Sequence, residues 1–191
     1  MDARTRITDP QTMRALAHPA RLAILLAMQR GQTGTATEFA EVCGLSPSAT
    51  SYHLRALARA GMVEEAAGRG DGRERVWQAT GGQGGYEVRS GPKAGPDAVR
   101  AEQELVTAYL AHQEAKLRAW VAQWGNETQE WYDATVMFDS TVVVSSAELA
   151  ALSQAVSDLL EPYRRSVRVD PPPAAREVEV MFRLVPGASA G

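Results

Sequence analysis

Two short helical patterns joined by a three-residue turn constrain this chain more than any other feature. Thr35-Ala36-Thr37-Glu38 has the order of a capping box, in which hydroxyl and carboxylate satisfy each other's backbone amides. The helix it opens stops at Gly44, because glycine enters the left-handed C-terminal conformation without steric cost. Gly44-Leu45-Ser46 makes the turn, and Ser46-Pro47 caps a second helix that ends at Gly61. Two short helices about a glycine-containing turn read as helix-turn-helix. Upstream, Asp9-Pro10 opens a helix that breaks at His18-Pro19, where a capping or packing role is expected for His18. The next helix, from Pro19 to Gly31, is apolar on nearly every side and is therefore expected to be buried.

The helix Ser46–Ala60 has two distinct faces. Leu54, Leu57 and Ala58 form an inward stripe, while Ser48, Tyr52, Arg55 and Arg59 share another face at helical spacing. No acid occurs from Ser46 to Gly61. A polar, aromatic and basic surface of this kind suits the major groove of DNA, and equally a solvated helix face. Met62–Glu65, a glycine-rich stretch, and Arg73–Trp77 then read as a β-hairpin. Arg69, Arg73 and Arg75 lie at or just after its tip, where phosphate contacts are made. Glu64, Glu65, Asp71 and Glu74 dilute that basic character, as on an ordinary surface hairpin.

Leu16-Ala17-His18-Pro19-Ala20-Arg21-Leu22-Ala23-Ile24-Leu25 resembles the opening of ArsR-type bacterial regulators. Ser51-Tyr52-His53-Leu54-Arg55-Ala56-Leu57, followed by Ala60-Gly61-Met62-Val63, is similar to that family's recognition helix and its exit. The resemblance covers roughly residues 8–80. It implies a dimeric, DNA-binding winged helix-turn-helix regulator with Ser48, Ser51, Tyr52, His53 and Arg55 at the groove. Helical spacing alone leaves His53 between the two faces, so packing against backbone is its other reading. Metal-sensing members carry a Cys-x-Cys pair that aligns here with Thr35 and Thr37, which are poor soft-metal ligands. The single cysteine, Cys43, falls on a core position. Other members bind zinc on the long C-terminal helix, where this chain offers Asp97, Glu102, Glu104, His112 and Glu114. His112 and Glu114 are two apart and point different ways, as on a solvated face. No metal site and no cofactor are expected, nor any regulatory response to As(III), Zn²⁺ or Cd²⁺.

Residues 81–96 hold six Gly and two Pro and read as a linker. Domain 1–80 then precedes a region, 97–191, that opens with a long helix from Asp97 to Trp124. Val106, Leu110, Leu117, Trp120 and Trp124 step along that helix by threes, fours and sevens, a stripe one chain cannot cover alone. A homodimer interface is expected there. Thr141–Val144 and residues 177–185 read as strands flanking a helix that starts at the Ser145–Glu148 capping box. Trp120, Trp124, Trp131 and Tyr132 suggest a core or interface cluster, or a pocket for a small apolar effector. The expected fold class is mainly α with small β elements: winged helix-turn-helix, long dimerisation helix, small C-terminal α/β unit.

Charge is uneven: residues 1–80 carry 10 Arg against 8 acids, and residues 81–191 carry 10 basic and 15 acidic groups. Nucleic acid must therefore be met through a local patch. One cysteine, no apolar leader and no apolar run of membrane-spanning length give a cytoplasmic, non-membrane expectation. The 18 Arg, 2 Lys and 32 Ala suit a GC-rich bacterial genome. Beyond residue 80 there is no GxGxxG after a strand and no His/Cys/Asp cluster, which argues against an enzyme such as a small-molecule methyltransferase. The remaining rival is a winged-helix interaction module that does not bind DNA. The leading expectation is a regulator that reads double-stranded, pseudo-palindromic operators as a homodimer, with no catalytic residue.

Overall fold

The structure is a computed structural model that describes residues 5–66, 74–80, 86–88, 90–91, 93–165 and 167–187. The fold is mainly α with small β elements, and it divides into two compact units, Met1–Tyr132 and Asp133–Gly191. In chain order the first unit contains β1 (Thr5–Ile7), α1 (Pro10–Leu16), α2 (Pro19–Gln29), α3 (Ala36–Cys43) and α4 (Pro47–Arg59). Then follow β2 (Val63–Glu65), β3 (Trp77–Ala79), β4 (Tyr86–Val88) and the long α5 (Pro96–Val121). A 3-10 turn at Trp124–Asn126 and the short α6 (Gln129–Ala134) come next. No helix among the described residues is long and apolar enough to cross a membrane.

Local chemistry sets the helix starts as the sequence predicts. The Asp9 carboxylate accepts from the Thr12 amide at 2.7 Å, with Pro10 at the first helical position. Thr35 and Glu38 form both bonds of the capping box, and Ser46 Oγ accepts from the Ala49 amide at 3.3 Å. Gly44, at φ 63°, takes the left-handed conformation that ends α3. The core joins α1, α2, α3 and α4 through Met13, Leu16, Ile24, Phe39, Leu54 and Leu57, each at most 2% exposed.

Two small sheets frame this core. The wing is an antiparallel pair, Val63 opposite Ala79 and Glu65 opposite Trp77, so its return strand lies further along the chain than Arg73–Trp77. Trp77 also exchanges two backbone hydrogen bonds with Gly34, which anchors the wing to the α2–α3 loop. The second sheet departs from the sequence reading. Tyr86–Val88, inside the expected linker 81–96, is a strand that pairs in parallel with Thr5–Ile7. The long helix also joins the first unit, because α1 packs along α5 and buries Ala101 and Leu105. Arg14 ties the start of that helix through an ion pair with Asp97 at 3.0 Å.

In the second unit, Ser145 and Glu148 make the expected capping box and start α7 (Ser146–Leu160). The expected strands do not form: residues 141–144 and 177–185 carry no regular structure. A two-stranded sheet is marginal in water unless more strands or a packed helix cover it. Here no described residue of the unit is buried, with Val143 100% exposed and Val178 66% exposed.

Candidate nucleic-acid interface

Helix α4 presents the outward face that its spacing predicts. Ser48, Tyr52, Arg55 and Arg59 are exposed, while Thr50, Leu54 and Leu57 are fully buried. Thr50 satisfies its hydroxyl internally by donating to the Ser46 carbonyl at 3.0 Å. Ser46 is spent as the N-cap, and Ser51 is half-buried at the edge of the face. Beside this helix the wing completes an open groove of about 620 Å³, lined by Tyr52, Arg55, Arg59, Glu64, Glu65 and Arg75 among others. Helix α4 and the wing therefore line one open groove.

Two expected contacts are placed differently. His53 turns inward and is only 8% exposed, because its ring packs on His18 at 4.5 Å between centroids and edge-on to Tyr52 at 5.4 Å. This burial matches the packing reading of His53, whose ring lies against His18 and Tyr52. Arg75 forms an ion pair with Glu65 at 3.0 Å, so a wing acid already compensates its charge. Arg69 and Arg73 lie outside the described residues.

The histidine pair lies where α2 meets α4. His18 Nδ1 accepts from the Ala20 amide at 3.2 Å and so caps α2. His53 Nδ1 is buried with no hydrogen-bond partner among the described residues. Burial, then the neighbouring His18 and Arg21 charges, push His53 below its usual range. Burial and Arg21 push His18 the same way. Both rings thus favour the neutral form more than a free imidazole does. The unfolded chain takes up protons more readily than the folded one, so this contribution is intact above the usual pH of 6.5 and is lost as pH falls through the lowered folded values. The melting temperature should accordingly drop between about pH 7.5 and about pH 5.5, with a smaller drop in His53→Gln. An equal drop in parent and variant would show that the pair does not set the acid limit.

Other sequence candidates fall into place around this surface. Burial pushes the Cys43 thiol up, and its Sγ lies 3.6 Å from the Ala20 carbonyl, as suits a small core residue. Thr35 is occupied in its capping box. Among the described residues no group of three or more His, Cys, Asp or Glu is arranged to hold a metal ion. Along the long helix, Val106 and Leu110 are exposed, and Leu117, Trp120 and Trp124 are half-buried. Trp124 stacks on Trp120 at 5.2 Å and on Tyr132 at 5.5 Å. The sequence reading did not single out Phe39 or Thr50, the two buried residues that seat the helix pair, since neither extends an apolar repeat beyond its own short helix.

A family described as helix-turn-helix domain matches residues 16–66. No curated protein matches the chain. In structure the chain is similar to a double mutant of Lactococcus lactis ZitR in apo form, with TM-score 0.33 and 20% identity over 78% of this chain and 84% of that one. It is also similar to Lactococcus lactis ZitR described as a zinc-responsive MarR family member, with TM-score 0.30 and 18% identity over 85% and 81% of the two chains. Scores of this size leave the fold assignment resting on the chain's own elements. Those elements, together with the match, give residues 16–66 a helix-turn-helix architecture, which the β2–β3 pair extends.

Proposed function

We propose that this protein is a DNA-binding transcription regulator of the cytoplasm that acts as a homodimer. The helix Ser46–Ala60 enters the major groove, Tyr52 and Arg55 face base edges, and the wing arginines Arg69 and Arg73 meet phosphate. One observation carries the reading: Ser48, Tyr52, Arg55 and Arg59 stand exposed on one face of a capped helix, beside the wing and with no acid on that helix. The ArsR-like motifs at residues 16–25 and 51–63 agree with it. Dimerisation follows from the stripe Val106, Leu110, Leu117, Trp120 and Trp124, which leaves apolar surface on α5 that a second copy covers.

Purified protein should enrich a small set of pseudo-palindromic genomic fragments, with half-sites about 34–36 Å apart. Enrichment no better than that of an unrelated acidic protein would favour an interaction module without DNA affinity. For the dimer, Leu117→Glu should shift sedimentation from dimer to monomer at micromolar concentration, because a carboxylate would be desolvated in an apolar seam. A parent protein that sediments as a monomer would remove the interface.

A further inference from the structure

The second unit, Asp133–Gly191, leaves three apolar segments facing water. Residues 177–185 alternate, with Val178, Val180 and Phe182 exposed and Leu184 half-buried on one side. Glu177, Glu179, Met181 and Arg183 are exposed on the other. Val142, Val143 and Val144 are exposed, and on α7 the stripe Leu149, Leu152, Val156 and Leu159 is nowhere buried. Alternation of this kind is the pattern of a strand with one face covered. One chain supplies two such segments, and a two-stranded sheet that no helix covers is marginal in water. A second copy raises the supply to four strands and two helices, which passes that threshold.

The order of charges along 177–185 selects how two copies meet. In a parallel pair in register, Glu179 would face the partner's Glu179 and Arg183 the partner's Arg183, and like charges directly opposite are destabilising. An antiparallel pair about a two-fold axis at Met181 sets Glu179 opposite the partner's Arg183. It also sets Val178 opposite the partner's Leu184 and Val180 opposite the partner's Phe182. Every apolar residue of the inner face then meets another. Moving the axis to Val180 would set Leu184 opposite the partner's Arg176 and leave Arg183 to the partner's Glu177. Glu177 is already held in an ion pair with Arg165 of its own chain.

We propose that residues 177–185 of two copies pair as antiparallel strands about a two-fold axis at Met181, the centre of a sheet that residues 141–144 of each chain flank. The contact rests on the homodimer reading and adds to it a segment outside α5. Oxidative cross-linking of the full-length chain in a Cys43→Ala background tests the register. Directly opposite residues of an antiparallel pair have Cα atoms about 4.5–5.5 Å apart, within the range of about 4.4–6.8 Å that a disulfide spans. Met181→Cys should therefore give a covalent dimer with copper–phenanthroline, as should co-expressed Glu177→Cys and Val185→Cys chains. Val185→Cys alone should stay monomeric on a denaturing gel, because the two copies of residue 185 lie about 27 Å apart along the strands. Arg183→Glu should weaken dimerisation by about five- to thirtyfold, and adding Glu179→Arg should restore it. Both variants are checked for retained helicity.

Equal cross-linking of Met181→Cys and Val185→Cys would overturn the antiparallel register. No Met181→Cys cross-link in a chain that sediments as a dimer would overturn the contact and leave the homodimer standing. A Met181→Cys cross-link in a dimer that Leu117→Glu does not dissociate would support the contact and remove the α5 seam instead. Amides of 177–185 should be protected from hydrogen exchange in the dimer and lose that protection on dilution to monomer. Protection that persists in the monomer would place the pairing strand in the same chain and overturn the proposal.

Discussion

Phe39→Ala should destabilise the first unit by about 3–5 kcal/mol, the loss found when a buried aromatic is cut back to a methyl group. Phe39 has no exposed surface and projects from α3 into the core shared with α2 and α4. The cost combines lost transfer free energy with the cavity left behind, since the capped ends of α3 and α4 restrict collapse. Against a total of about 5–15 kcal/mol for an ordinary domain, a loss of this size removes a large share of the stability. Urea unfolding followed by helicity should show a lower midpoint at unchanged slope. A change below about 1 kcal/mol would mean that α3 is not seated on Phe39.

Arg55→Ala should weaken operator binding by about 1–3 kcal/mol, or roughly five- to 150-fold, and relax the sequence preference at one position per half-site. Arg55 is exposed on the outward face of α4, one turn from Tyr52, and both line the groove beside the wing. An arginine there can make a bidentate contact to a guanine edge, which a methyl group cannot replace. The melting temperature should not move, because the side chain points away from Leu54 and Leu57. Arg73→Ala is expected to behave differently, weakening all sequences alike and reducing the salt dependence by about one counterion. Titration of labelled operator at several salt concentrations separates the two. Unchanged operator affinity in Arg55→Ala at matched salt would rule out the groove assignment.

What the sequence disclosed was local. Asp9, Thr35, Ser46 and Ser145 each cap a helix through a bond completed within three residues, so residue order alone specifies it. The outward face of α4 was equally legible, because helical period decides which side chains share a side. Distant pairings were not. Thr5–Ile7 and Tyr86–Val88 meet across most of the first unit, and three-residue strands leave almost no periodic signal. Residues 177–185 show the opposite failure: their alternation is clear, but alternation supplies no partner for the backbone. The partners of His53 and Arg75 are hidden from the sequence for a related reason. Neither the ring of His18 nor the carboxylate of Glu65 is recorded in the spacing of the residue it engages.

The anchoring of α5 has a mechanical consequence. Its first turns are clamped by α1, by Arg14 on Asp97 and by the burial of Ala101 and Leu105, and the rest projects beyond them. At 26 residues the helix is roughly 39 Å long, so it acts as a lever rigidly joined to the reading head. Residues 106–121, beyond the clamp, span roughly 24 Å, so a tilt of about 8° at the clamped end would displace the far end by about 3.4 Å, one base-pair step of B-DNA. In the proposed homodimer, small movements where α1 grips α5 would thus be geared up into the separation of the two DNA-binding units, without any hinge having to flex.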